Sequence, residues 1–437
     1  MNASVAQRIE ADLLIPGDAA PIDSGVIVIE NERIAYSGPA GAAPPTPGAA
    51  VWRVPTVMPG LWDAHCHFFG IRQVDLGLVA AESPIQRALR IGEDARRALM
   101  AGITSVREVG GLGVYLARAV AEGSVAGPTV YAAGAILSMT GGHGDIHDIP
   151  ISLMQSNERV VDLELCDGVP ECIRAVRRQL RRGARVIKVC ATGGVLSLDN
   201  LEHPQFSHEE LTAIVEEAAR ADRLVAAHCH GKAGIMAAIR AGVRTIEHGT
   251  YLDQESAVAM ADSDAVLVST RFVGHDVLRD PDAAGLPEFA RAKLAAAYER
   301  GRQALGHAIA AGVRIAAGTD MISSGSHWGH NGVELQLLTE CGLSPLEAIR
   351  AATASAALTV GKQAEGPGVI VAGAPADLIA VAGNPINDIS ILGGPDQVTH
   401  VWQGGRLVKG PSGFGGHPSS LDAHKVGNTI PEGTRLK

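Results

Sequence analysis

The chain has 437 residues, 46% of them hydrophobic and 3% aromatic, and a formal net charge of −10. That length exceeds one ordinary domain and the apolar content predicts a large buried core. The acidic balance, with no basic cluster interleaved with aromatics, excludes a nucleic-acid footprint, and no run of about 18 apolar residues suggests a membrane span.

The first residues, Met1 to Arg8, show no apolar signal core. The six cysteines (66, 166, 172, 190, 229 and 341) are scattered rather than framework-spaced. Reduced thiols and a cytoplasmic location are the expectation. Cys166 and Cys172 could pair, although nothing in the sequence requires it.

Residues 8 to 56 are β-like. Ala11–Ile15, Gly25–Ile29 and Arg33–Tyr36 read as short strands, with Asn31-Glu32 as a turn. Gly38 to Gly48, rich in Pro, Gly and Ala, reads as a loop. From 57 to 358 the pattern alternates strand and helix. The predicted strands are Val57–His67, Ile103–Val109, Val130–Leu137, Val186–Ala191, Leu224–His230, Thr245–His248, Ala265–Thr270 and Arg314–Asp320. Helices are predicted at Ser83–Ala101, Glu209–Ala221 and Glu288–Ala311, the second with Ser207 as N-cap and Glu210 three residues on. Three of the helices end in Ala-Gly, at Ala101-Gly102, Ala241-Gly242 and Ala311-Gly312, and glycine there suits a helix C-terminus. Eight strands with helical crossovers predict an α/β fold, a (β/α)8 TIM-like barrel. An open doubly wound sheet is the rival, but no Gly-x-Gly-x-x-Gly follows the first strand.

From 359 the β character returns. Asp377–Val381, Val398–Trp402 and Arg406–Lys409 read as strands, with Gln403-Gly-Gly405 as a turn. The two ends of the chain are alike, which predicts one small β-sandwich built from both. The expected organisation is 1–56 and 359–410 for the sandwich, 57–358 for the barrel, and 411–437 as a polar tail.

Barrel active sites lie at the C-terminal ends of the strands. Strand one ends in His65-x-His67, and a strand presents residues i and i+2 on one face. Trp62 and Cys66 are expected on the other. Strand four carries Lys188; strand five ends in His228-Cys-His230, strand six in Glu247-His248-Gly249, strand eight in Gly318-Thr-Asp320. Seven such groups converging on one mouth would be costly to bury without an ion. Lys188 sits between Ile187 and Val189, where a bare ammonium is penalised. Either it is neutral or paired with Asp320, or it has taken up CO2 as N6-carboxylysine and bridges two metal ions.

These residues resemble the amidohydrolase superfamily, and within it the imidazolonepropionase-like branch of Xaa-Pro and Xaa-Arg dipeptidases, carbamate-cleaving relatives and ochratoxin-type amidases. The resemblance runs from Val57–His67 through Thr104–Gly111, Thr140–Gly144, Cys166–Gly194, Val225–Gly231, Thr245–Thr250 and Gly318–Asp320 to Gly383-Asn-Pro-Ile-Asn-Asp388. It implies two divalent ions, zinc in the first instance. His65, His67 and Asp320 would hold one, His228 and His248 the other, and carboxylated Lys188 both. Asp320 would also move the proton from the attacking water to the leaving nitrogen. His143 and His230 would face the substrate, His143 polarising the scissile carbonyl; the alternative for each is a rim histidine with local hydrogen bonds only. Arg271 could bind a substrate carboxylate or form a surface salt bridge. His327 and Trp328 are expected to shape the pocket, unless their loop is an ordinary rim. Arg107-Glu108 reads as a structural pair.

The implied activity is hydrolysis of the amide bond of an N-acyl amino acid or dipeptide; a carbamate, phenylurea or ochratoxin-like amide is the alternative for the same site. The partner is a small molecule, and assembly as a homo-oligomer is expected. A mononuclear deaminase would need Glu three residues after His228, where the chain has Gly231. An imidazolonepropionase uses one metal and leaves Lys188 without a role. A non-catalytic scaffold should have lost ligands, and none is missing.

Overall fold

The computed structural model describes residues 6–155, 161–325, 327–411 and 413–414. The tail expected from 411 lies, apart from three residues, outside this range. Eight parallel strand positions form the barrel: Leu61–Ile71, Ile103–Glu108, Thr129–Ala132, Ile187–Cys190, Val225–Cys229, Thr245–His248, Val266–Val268 and Arg314–Ala316. Neighbours four to eight pair in sequence order, as do one to three. The third position breaks after Ala132 and resumes as Ile136–Ser138, which pairs with strand four through Lys188↔Ile136. Closure comes from Ala64 N–H donating to the Ala317 carbonyl at 2.8 Å and Thr319 N–H to the His65 carbonyl at 3.0 Å. Helices Pro84–Met100, His208–Ala219 and Glu288–Ala310 lie where the sequence places them. Ser207 and Glu210 form the expected reciprocal cap, and Gly102, Gly242 and Gly312 all take positive φ.

The apolar run read as one strand over Val57–His67 is two. Ala50–Pro59 belongs to a second sheet and Leu61–Ile71 to the barrel. The break is at Gly60, where a Cβ would stand 2.1 Å from the Thr104 hydroxyl. Among the described residues the second sheet has eight strands drawn from both ends of the chain. Ala50–Pro59 runs beside Gln7–Leu14 on one side and Leu378–Val381 on the other. The sheet curls until its flanks meet: Ile34 N–H donates to the Ala374 carbonyl, and Trp402 Nε1–H to Gln7 Oε1. Ile9, Ile27, Ile34, Leu378, Ala380 and Trp402 fill the fold so made. Burying such side chains contributes about 25 cal/mol per Å2 of apolar surface.

Trp62 departs from expectation. It stacks on Tyr131 with centroids 5.1 Å apart and shares an inner cluster with Ala64, Val268 and Ala316. Cys66 and Phe68 instead join the layer between barrel and helices. Pairing with strand two shifts register between Asp63 and Cys66. Such an irregularity re-aims side chains, so His65 and His67 point inward although Trp62 does too. All six cysteines are free, Cys166 and Cys172 included.

Candidate metal centre

One cavity opens at the C-terminal ends of the strands, and His65, His67, Lys188, His228, His230, His248 and Asp320 all line it. The imidazoles crowd together. His65 and His248 have centroids 5.0 Å apart, His228 and His248 4.6 Å, His228 and His230 4.6 Å. One nitrogen or oxygen each from His65, His248 and Asp320 falls within 4.8 Å of the others. Lys188 is 2% exposed, with Nζ 3.5 Å from His65 Nε2. The ion pair with Asp320, one of the two readings of Lys188, is not formed; burial pushes the Lys188 amine down from its usual range.

The outer partners fix which ring nitrogens carry protons. His65 Nδ1 lies 2.7 Å from Glu247 Oε2, and His67 Nδ1 lies 2.8 Å from the Gly110 carbonyl. A carboxylate or carbonyl can only accept, so both Nδ1 atoms donate. In neutral rings both Nε2 lone pairs then face the cavity, 3.4 Å and 3.3 Å from the same oxygen of Asp320. Three acceptors aimed at one another repel unless a cation lies between them. His228 follows the same logic: its Nε2 is 3.2 Å from the Gly193 carbonyl, leaving Nδ1 as the acceptor. Burial holds His67, His228 and His248 below the usual imidazole range, which keeps them in the form that ligates metal.

The strand side of the site is braced by buried polar groups whose partners the sequence does not reveal. Arg107 does not pair with Glu108. It reaches across the barrel to Glu247 at 2.7 Å and to Thr245 Oγ1 at 2.8 Å. The chain is Arg107–Glu247–His65, every member fully buried, and such outer-shell partners orient metal ligands. Asp63 ties strand one to strand eight by accepting from the backbone N–H of His65 and Thr319 and from Asn331 at 2.7 Å. His248, Thr270 and Asp320, at the ends of strands six, seven and eight, all have positive φ. Non-glycine residues held there store strain, a mark of functional sites.

The loop side is different. His143, from the loop after Ile136–Ser138, stacks on His228 at 4.3 Å and has Nδ1 2.7 Å from Ser197 Oγ. Gly194 makes this possible, since a Cβ there would stand 2.1 Å from the ring. Ser197 in turn donates to Asp199. Lys293 donates to the Ser197 carbonyl at 2.7 Å and also to those of Gly194 and Asp199. His230 Nδ1 contacts Thr250 Oγ1 at 2.6 Å.

Arg271 is 5% exposed and lines the cavity, so it is no surface salt bridge. Its guanidinium lies 3.8 Å over the Tyr298 ring, and its Nε has no partner. Two expectations are corrected. Trp328 is buried behind the site, stacked on Phe68 at 4.6 Å, and His327 pairs with Asp276 at 2.6 Å; neither lines the cavity. The wall is made instead by apolar residues, among them Val74, Leu196, Val277, Leu286 and Leu294.

A parallel barrel with polar strand ends gathered in one cavity defines a (β/α)8-barrel hydrolase. The chain belongs to the amidohydrolase family, whose model matches residues 56–408. It is 44% identical over 420 residues to ochratoxinase of Aspergillus niger, covering 92% of this chain and 86% of that one. The crystal structure of A. niger ochratoxinase superposes with a TM-score of 0.87 at 42% identity, over 96% of this chain and 100% of the other. A prolidase complexed with N-methylphosphonate-L-proline superposes with a TM-score of 0.86 at 33% identity, over 93% and 100%. The protein is therefore a hydrolase acting on C–N bonds. No helix among the described residues is long and apolar enough to cross a membrane.

Proposed function

We propose that this protein is a binuclear metal-dependent amidase that cleaves N-acyl amino acids or dipeptides bearing a free carboxylate. The observation that carries the metal reading is the convergence of His65 Nε2, His67 Nε2 and one oxygen of Asp320, with His248 close enough to join them. His65, His67 and Asp320 suit one ion and His228 and His248 a second, with Lys188 between them. The lowered Lys188 amine is a nucleophile for CO2, and the carbamate so formed would supply the shared anion. A pair of divalent ions, zinc in this reading, supplies Lewis-acid polarisation of the carbonyl and acidification of water.

The chain's own groups do the rest. Asp320 accepts the proton of the attacking water and delivers it to the leaving nitrogen. His143 and His230 hydrogen bond to the scissile amide from the loop side. Arg271 receives the carboxylate, and the apolar wall takes a bulky acyl group or side chain. The ochratoxinase relative supports an ochratoxin-like amide, and the prolidase complexed with a proline derivative supports an amino-acid carboxylate.

The test is a hydrolysis screen of N-acyl amino acids, dipeptides and aryl carbamates with metal content measured in parallel. About two ions per chain and amide turnover are expected, and Lys188→Ala should lose both. A fully active Lys188→Ala enzyme sinks the bridging role. A preferred substrate without a carboxylate, with KM unchanged in Arg271→Met, would turn the reading to a carbamate or phenylurea.

A further inference from the structure

The end of strand seven is held from outside by one short segment. Asn331 and Glu334, at the start of helix Val333–Glu340, are 2% and 0% exposed. Asn331 binds Asp63 on strand one. Glu334 reaches the turn Ser269-Thr270-Arg271. Its Oε1 accepts from Ser269 Oγ and from Arg271 N–H, both at 3.1 Å, and its Oε2 accepts from Phe272 N–H at 2.6 Å.

That turn needs outside help. Thr270 has φ of +51° and supplies no side-chain cap to helix Arg271–Arg279. The first N–H groups of a helix have no partner within it, and here a carboxylate from another helix takes two of them. At the far end of the same residue, the Arg271 guanidinium lies over Tyr298 and donates to the Tyr298 carbonyl. Gly301 leaves room for it: a Cβ there would stand 2.9 Å from Nη1. Arg271 is thus gripped by its backbone through Glu334 and by its side chain through Tyr298, while its buried Nε stays unpartnered.

We propose that Glu334 is a positioning residue for substrate recognition: it fixes the Arg271 backbone so that the guanidinium meets the substrate carboxylate, and it governs KM for anionic substrates. This rests on the reading that Arg271 binds that carboxylate. Gln at 334 keeps the volume but puts an amide N–H against either the Arg271 or the Phe272 N–H, so the turn must shift.

The test uses the metal-loaded enzyme with N-benzoyl-L-phenylalanine and its carboxamide, following benzoate release and metal content. Glu334→Gln should raise KM for the acid about tenfold, the scale of one lost hydrogen bond. It should leave kcat within about twofold, and metal content and the carboxamide kinetics unchanged. Arg271→Met should give at least the same KM effect, and the double variant should be no worse than Arg271→Met alone. Should Glu334→Gln fail to fold, Ser269→Ala removes one of the three donors and should shift KM in the same direction by about twofold. An equal fall in kcat for both substrates, or additive effects in the double variant, overturns the role of Glu334. An unchanged acid KM in Arg271→Met removes the carboxylate reading, and the Glu334 proposal with it. A raised KM in Arg271→Met with normal Glu334→Gln and Ser269→Ala kinetics removes the Glu334 proposal alone.

Discussion

His65 and His143 offer imidazoles to the same cavity but are held by different means. His65 rises from a barrel strand, and its support, Glu247 and Arg107, comes from other strands of the barrel. His143 comes from a loop, and its support is a second loop, 193–199, laced by Ser197 and Asp199 and pinned by Lys293 from a helix. The first arrangement is buried, ionic and built into the barrel wall. The second is assembled on top of it from hydrogen bonds to backbone carbonyls, and loops of this kind are where related enzymes diverge in specificity.

The largest effect should follow from breaking the strand side. Glu247→Leu leaves Arg107 as an unpaired buried cation and frees His65 to turn. A loss of about 3–5 kcal/mol in unfolding free energy is expected, with metal affinity weakened about 10- to 100-fold. Chemical denaturation and metal titration measure both. A Glu247→Leu protein as stable as its parent would erase the distinction between the two sides.

A second prediction concerns pH. Glu108 ends strand two, and its Oε1 accepts from Gly113 N–H, which follows the loop whose Gly110 carbonyl holds His67. Burial pushes its carboxyl up to about 8. A raised acid favours the protonated folded state, so this stabilisation is full below about 4.5, fades as pH rises, and is gone above about 8. Glu108→Gln should flatten the fall in unfolding free energy between pH 5 and 8, by an amount on the order of a few kcal/mol, as read by chemical denaturation. An unchanged slope would show that Glu108 is ionised in the folded protein.

The smallest effect on stability, though not on turnover, belongs to the loop side. Lys293→Met removes donors from three carbonyls near the surface, costing about 1 kcal/mol and shifting the melting temperature by less than about 4 °C. Turnover should fall about tenfold as His143 loses its footing, with metal content intact. Parallel losses of metal and activity would mean that loop and strand sides are one unit.

What could be read from the sequence follows the same division. His65, His67, Lys188, His228, His230, His248 and Asp320 stand at strand ends with the right alternation, so the chain itself brings them to one mouth. Trp62 was misplaced because the register shift before Cys66 reverses the alternation. Arg107 was paired with its neighbour because sequence proximity hides a partner 140 residues away. Trp328 and His327 follow strand eight, but their loop turns outward. Ser197, Asp199, Lys293 and Glu334 carry no local signal at all; their meaning lies in which loop or turn they touch.

The division of the Val57–His67 run at Gly60 reaches beyond the fold. One continuous rail of backbone is a central member of the outer sheet at one end and carries the first two histidines at the other. Its flanking partners come from the opposite extremes of the chain. Trimming this enzyme to a minimal barrel would therefore not remove an accessory; it would unmoor the rail on which His65 and His67 ride. Any shortened version should be judged first by whether it still retains metal.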